Sequence, residues 1–244
     1  MSDFDAGEYG ASGIADDYDA LYADHWETDA AVDCLVELAD GGPVLELGIG
    51  TGRLALPMVR RGLDVHGIDG SPEMVAKLRE KPGGEQLRVV IGNFADAVAG
   101  EGFSLVVLAV NTIFALPDQD AQVACFQNAA RHLRPGGRFV VEAWVPDVGG
   151  FRSNRLLRPR VIGPDVLSIE AAELDQADQL MRTTQAVFAG GRVRLYPATH
   201  RYAWPAELDL MGRLAGLRRE SRWADWTRSP FTADSTAHVT VYRT

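Results

Sequence analysis

Apolar positions along the first 150 residues come as short continuous runs separated by helical periods. The runs Pro43–Leu47, Leu63–Ile68, Leu87–Ile91, Phe103–Val110 and Arg138–Ala143 predict strands. Between them, helices are predicted over Asp29–Leu38, about Arg53–Arg61, from Ser71 onward and over Gln119–Leu133. Ser71-Pro72 supplies an N-cap and a proline at the first helical position. An earlier helix starts at Asp16, with Tyr18, Leu21 and Tyr22 on one face. Strand-helix alternation implies a parallel sheet covered by helices on both faces. The pattern then changes. Val161–Leu174, Leu180–Phe188 and Val193–Trp204 read as strands with no helix between them, and Ala189-Gly190-Gly191 reads as a hairpin turn. A helix resumes over Pro205–Ala215, and strands over Arg219–Trp226 and Thr236–Tyr242 end the chain. The expected architecture is α/β, a Rossmann-like three-layer sandwich. Its sheet is mostly parallel and seven-stranded with an antiparallel last strand, and an antiparallel β insertion follows the fifth strand. The organisation expected is residues 1–42 as N-terminal helices, 43–150 and 205–244 as the core, and 151–204 as the insertion.

The 244 residues suit one such domain, and the net charge of −10 repels nucleic acid unless a local basic patch offsets it. Basic residues at Arg152–Arg160 and Arg213–Arg228 are too dispersed for that, so no nucleic-acid partner is expected. Cys34 and Cys125 sit in apolar helical patterns without metal spacing, which predicts buried reduced thiols and no metal site. No apolar run reaches the ~18 residues of a membrane span, and residues 1–13 carry no basic-plus-apolar leader. The expectation is a cytoplasmic protein with no membrane partner.

Candidate chemistry concentrates where the first strand ends. Val44-Leu45-Glu46-Leu47-Gly48-Ile49-Gly50-Thr51-Gly52-Arg53 follows a strand and opens a helix, so backbone can approach a ligand closely beside a helix N-terminus. The loop alone says only that a nucleotide cofactor binds, and Gly50–Ala55 also satisfies the dinucleotide pattern G-x-G-x-x-A. Glu46 weighs against a dinucleotide. Its carboxylate would repel a pyrophosphate across a poorly screened gap, whereas it would attract the α-ammonium of S-adenosylmethionine. Asp69, ending the second strand before Gly70, can accept both ribose hydroxyls of either cofactor. Asn93 is placed to bond the adenine amino group, with Phe94 and Met74 packing the ring. Val110 and Asn111 end the fourth strand at the same carboxyl edge, where open α/β sheets bind ligands.

The E-L-G-x-G-x-G loop, Gly67-Ile68-Asp69-Gly70-Ser71-Pro72-Glu73-Met74 and Leu133-Arg134-Pro135-Gly136-Gly137 together resemble class I, Rossmann-like methyltransferases dependent on S-adenosylmethionine. The resemblance covers about 16–150 and 205–244, and the two closing strands match the family's antiparallel sixth and seventh strands. Asn93 departs from the family's frequent aspartate but keeps an acceptor. The resemblance implies S-adenosylmethionine as cofactor, S-adenosylhomocysteine as product, and an N-terminal helix closing over the site with Tyr18 or Tyr22 at the methionine portion.

Methyl transfer needs little beyond positioning, so no loud catalytic motif is required. No [DNS]-P-P-[YFW] follows the fourth strand, where Val110-Asn111-Thr112-Ile113-Phe114 stands instead; this weakens amino-methylation of nucleic acid or glutamine. Strand alternation puts Arg194, Tyr196, His200, Tyr202 and Trp204 on one face of the insertion, lining an acceptor pocket or a subunit interface. His200 is the candidate base because histidine titrates near neutrality; His25 is a second, while His66, His132 and His238 read as structural. Glu142, a further catalytic candidate, and Trp144, a candidate acceptor contact, end the fifth strand in V-E-A-W, similar to V-E-P-W in amino-deoxysugar nucleotide methyltransferases. The expected function is methylation at nitrogen or oxygen of a small natural-product or sugar-type acceptor, with a homodimer as candidate assembly. The alternatives are an NAD(P)-dependent oxidoreductase and a protein that binds S-adenosylmethionine without methylating.

Overall fold

The computed structural model describes Asp19 and residues 27–244. Tyr18, Tyr22, His25 and most of the helix expected from Asp16 lie outside the described residues. In chain order the strands are β1 (Val44–Leu47), β2 (Val65–Asp69), β3 (Arg88–Ile91), β4 (Phe103–Leu108) and β5 (Leu133–Trp144). These are followed by β6 (Arg155–Ile162), β7 (Val166–Asp175), β8 (Leu180–Ala189), β9 (Arg192–Arg201), β10 (Arg218–Trp223) and β11 (Ala237–Arg243). The helices are α1 (Thr28–Ala39), α2 (Ala55–Arg60), α3 (Pro72–Arg79), α4 (Gln119–His132) and α5 (Pro205–Leu214).

Runs of four to six apolar residues cannot bury themselves, so they pair. They form a seven-stranded sheet in the order β10-β11-β5-β4-β1-β2-β3. β1 to β5 pair in parallel, and β11 alone runs against its neighbours β5 and β10. Every residue of β1 and β4 is buried, as the centre of a doubly covered parallel sheet requires. One apolar cluster joins the sheet to α4 and α5; a second joins its other face to α1 and α2. In the first, Phe126 meets Phe139 and Tyr242 edge-on at 5.1 and 5.4 Å, the geometry ring quadrupoles favour. Cys34 and Cys125 are buried free thiols. Among the described residues no helix is long and apolar enough to cross a membrane.

Three expectations need correction. Val161–Leu174, expected as one strand, is two: the chain turns at residues 163–165 between β6 and β7, where Gly163-Pro164 breaks the pairing, and the insertion is a four-stranded sheet β6-β7-β8-β9. Phe103–Val110 stops at Leu108, because Val110 and Asn111 adopt left-handed backbone at φ 52° and 62°. The strand expected over Val193–Trp204 ends at Arg201, so Tyr202 and Trp204 lie beyond it, and only Arg194, Tyr196 and His200 share its face.

The insertion is fastened to the core by a buried polar network. Arg201 lies at the end of β9, 5% exposed. Its guanidinium donates to Gln122 Oε1 at 2.6 Å and Glu207 Oε1 at 2.7 Å. Gln122 Nε2 in turn donates to the carbonyls of Ile113 and Arg201, and Gln179 Nε2 donates to Glu207 Oε2. Burial works to raise the Glu207 pKa, but the bonds from Gln179, Arg201 and Gln119 hold it below the usual glutamate range. Removing Arg201 leaves an under-paired carboxylate, so Arg201→Met should cost about 3 kcal/mol in urea unfolding. Because the folded pKa of Glu207 is depressed, its contribution is complete above the unfolded value near 4.5 and is lost as pH falls through the folded value. Glu207→Gln should therefore flatten the acid side of the stability profile. An unchanged acid slope would remove Glu207 from the account.

Candidate functional site

After β1 the chain reverses through Gly48, Ile49, Gly50, Thr51 and Gly52 before α2. Gly48 and Gly52 sit at φ 72° and 81°. A Cβ at Gly48 would stand 2.6 Å from Thr112 Cγ2, and one at Gly52 would stand 2.3 Å from Leu78 Cδ1, so neither position tolerates a side chain. The amides of Gly48 and Ile49 donate to the Ile68 carbonyl, tying the loop to β2. Asp69 clamps it further. Its Oδ2 accepts Gly50 N–H at 2.7 Å and its Oδ1 accepts Ser71 N–H at 2.8 Å across Gly70. Burial raises the Asp69 pKa and these two bonds oppose that. Each oxygen retains acceptor capacity for a ligand hydroxyl. Met74, held by α3, lies over Gly50.

Glu46 occupies the bottom of this loop, 5% exposed. Its Oε2 has no hydrogen-bond partner among the described residues. Burial pushes its pKa up to about 8; the Arg53 guanidinium and the Ala55 backbone N–H act against that, and the Asp69 charge adds to it. Arg53 also donates to Thr28 Oγ1 at 3.1 Å, joining the loop to α1. A buried carboxyl group with one unpartnered oxygen and a raised pKa fits a cation as the missing partner. The same acid, with Asp69 beside it, is a poor floor for a pyrophosphate.

Asn93 and Phe94 follow β3 as expected, with different duties. Asn93 Oδ1 accepts Ala95 N–H at 2.9 Å, capping its own turn. Phe94 is 3% exposed and belongs to the apolar cluster under the sheet. At the end of β4, Val110 N–H donates to Glu142 Oε2 at 2.8 Å and Asn111 N–H to the Glu142 carbonyl at 3.0 Å. Trp144 N–H donates to Asn111 Oδ1 at 2.6 Å. The Trp144 ring packs on Phe114 at 4.6 Å and faces Tyr202 at 6.5 Å. Beyond Arg201, Tyr202 is thus brought to the carboxyl edge by the chain's turn, not by strand alternation.

In the insertion, His200 pairs with Met181 across β8, and Tyr196 pairs with Gln185. Tyr196 is buried, and burial lowers the His200 pKa while Glu170 opposes this. β9 packs against the single-turn 3₁₀ helix Thr112–Ala115, whose Thr112 abuts Gly48. Among the described residues no cluster of three or more His, Cys, Asp or Glu is arranged to hold a metal.

Sequence reasoning did not find three contributors. Trp226 donates its indole N–H to Glu142 Oε1 at 2.7 Å. Lys81 Nζ donates to the Thr51 carbonyl at 2.8 Å and pairs with Asp19 at 2.5 Å, while Thr51 Oγ1 donates to Asp19 Oδ1 at 2.7 Å. Thr112 forms the wall against Gly48. Common residue types joined over 30 to 84 positions leave no local signal.

Since Glu46 carries a proton below about pH 8, a cationic ligand must displace it. S-adenosylhomocysteine binding should release protons near neutral pH and tighten as pH rises toward 8. Calorimetry in buffers of different ionisation heat reads this directly. Glu46→Gln should abolish the release and weaken binding; release that persists in the variant would assign the proton elsewhere.

The family model for a methyltransferase domain matches residues 44–137, from β1 to the turn inside β5. The structure of the CcbJ methyltransferase from Streptomyces caelestis is 38% identical, covers 94% of this chain and 95% of its own, and superposes with a TM-score of 0.85. The cypemycin N-terminal methyltransferase of a Streptomyces species is 27% identical over 205 residues, 83% of each chain. At 20% identity, the amino pentose methyltransferase CalS10 from Micromonospora echinaspora shares the fold with a TM-score of 0.70 over 93% of this chain and 96% of its own. With the glycine loop, the buried acids and the β11 reversal all in place, this chain belongs to the Rossmann-like methyltransferases that use S-adenosylmethionine.

Proposed function

We propose that the protein methylates nitrogen or oxygen of a small natural-product or sugar-type acceptor held between the carboxyl edge of the main sheet and the insertion. The observation that carries this reading is the seating of β9 on Thr112–Ala115, the turn whose Thr112 abuts Gly48, with Tyr202 just beyond β9 facing Trp144. The relatives point the same way: one is named for the N-terminus of cypemycin and another for an amino pentose.

When bound, the cofactor supplies an electrophilic methyl group on a sulfonium. Glu46 holds its ammonium, Asp69 its ribose hydroxyls, and Gly48 and Gly50 let backbone lie against it, with Arg53, Gly70 and Met74 completing the loop's walls. Asn93, whose Oδ1 keeps a second acceptor site beside the Ala95 N–H, meets the adenine amino group, and Phe94 backs that turn from the core. Val110 and Asn111 adjoin the cofactor where β4 ends, and Trp144, Tyr196 and Tyr202 give the acceptor an aromatic lining. Fixing the acceptor lone pair behind the methyl group supplies much of the rate. His200, kept neutral near pH 7 by burial, is the proton acceptor for an ammonium or hydroxyl nucleophile.

Incubation with S-adenosylmethionine and a panel of aminosugars, peptide amines and phenols tests this. A product heavier by one CH2, formed with stoichiometric S-adenosylhomocysteine, is expected for at least one class; a cofactor consumed by none of them contradicts the reading. On the acceptor so found, His200→Ala should lower turnover about a hundredfold with cofactor affinity unchanged. Wild-type turnover should fall only below histidine's ordinary range, because the pKa is depressed.

A further inference from the structure

Val110 and Asn111 are consecutive left-handed residues, φ 52° and 62°, at the end of the central strand β4. For a β-branched residue this crowds Cβ against the carbonyl, and a glycine would adopt it freely. A valine held there is imposed on by its surroundings, and such imposed backbone concentrates where function needs it.

The imposing groups come from two distant elements. Glu142 on β5 accepts Val110 N–H at 2.8 Å through Oε2 and the Trp226 indole N–H at 2.7 Å through Oε1. Its own carbonyl accepts Asn111 N–H at 3.0 Å. Asn111 Oδ1 then accepts Trp144 N–H, and the Asn111 carbonyl accepts Phe114 N–H at 2.8 Å, starting the turn that carries Thr112. Thr112 touches the glycine loop on one side, and Trp144 faces Tyr202 of the insertion on the other. The strained turn therefore lies between the cofactor loop and the acceptor lining. Each Glu142 carboxylate oxygen is engaged by an N–H donor from a different segment, which suits a group that holds its neighbours in place.

We infer that Glu142 and Trp226 are a positioning pair that locks the Val110–Asn111 turn at the methyl end of the cofactor site. The inference rests on the methyltransferase reading above. Glu142 acts through the Val110 amide, and Trp226 acts through Glu142.

The test compares S-adenosylmethionine with S-adenosylhomocysteine by calorimetry on the full chain. The two differ only in the methyl group and the sulfonium charge, so the ratio of their affinities reads the methyl end alone. In Glu142→Gln the new amide N–H2 meets the Trp226 N–H donor to donor; in Trp226→Phe the Glu142 Oε1 loses its donor. Each should shift the ratio about tenfold, the effect of one unsatisfied buried group. Because Trp226 acts through Glu142, the double variant should shift the ratio no further than the larger of the two single changes. Glu46→Ala should weaken both ligands and leave the ratio in place.

A ratio unmoved in the single variants, whether both affinities fall together or neither changes, overturns the inference and leaves the pair a brace of the sheet edge. A double variant whose shift is the sum of the two single shifts also overturns it, since the two residues would then act independently. Should Glu142→Gln fail to fold, Trp226→Phe decides by the same ratio. A wild-type protein that binds neither ligand would instead refute the cofactor reading itself.

Discussion

Two acids are held out of water at the carboxyl edge of the sheet, and the geometry around them follows from how each is compensated. Asp69 is satisfied internally, by the Gly50 and Ser71 amides. That compensation gives the glycine loop its shape, since Gly50 N–H must reach a carboxylate on the neighbouring strand. Glu46 is not satisfied internally: one oxygen lacks a partner and its pKa is pushed to about 8. A buried acid with a raised pKa costs stability at every pH above its ordinary value near 4.5, where the unfolded chain ionises it more readily, so its retention points to a use. A ligand ammonium supplies the missing partner, so the loop is complete only with cofactor in place.

The acceptor side is built by a different constraint. The insertion is a four-stranded antiparallel sheet with several exposed apolar side chains, among them Leu157, Ile162 and Leu195. It is joined to the core near Arg201, where a charged network runs beside the buried Tyr202 and Ala203. Hydrogen bonds with directional demands fix orientation where apolar contact would let the sheet slide. Because Gln122 binds carbonyls on both Ile113 and Arg201, the end of β9 and the Thr112–Ala115 turn are placed by one side chain. The glycine loop touches that turn through Thr112, and Trp144 packs on it through Phe114. The proposed donor and acceptor sites would thus share a wall held by Gln122, Glu142 and Trp226.

The strands and their alternation with helices were legible because apolar runs, capping residues and glycine turns are local signals, whereas the strand order is set by pairing between distant segments. Ser71 does cap α3, accepting Met74 N–H, as its place before Pro72 implies. Glu46 was legible from its position two residues before Gly48. Errors arose where tertiary contacts override local pattern. The left-handed Val110 carries no sequence mark, since its conformation is set by Glu142 from 32 positions away. Alternation in Val193–Trp204 presumed a strand that stops at Arg201, because Arg201 must turn into the core to meet Glu207. The break between β6 and β7 did have a signal, Gly163-Pro164-Asp165, which a long apolar reading of the segment overrode. Glu142 was read as a catalytic candidate from its place at the end of β5, whereas its bonds to the Val110 amide and the Trp226 indole, which carry no local signal, point to positioning.

The central claim is that Glu46 is the seat of the cofactor's ammonium group. A crystal structure with S-adenosylhomocysteine measures it most directly. The account predicts the α-ammonium within about 3 Å of Glu46 Oε2, with the ribose hydroxyls on Asp69. An ammonium bound elsewhere, with Glu46 Oε2 still lacking any partner but protein atoms, would contradict it.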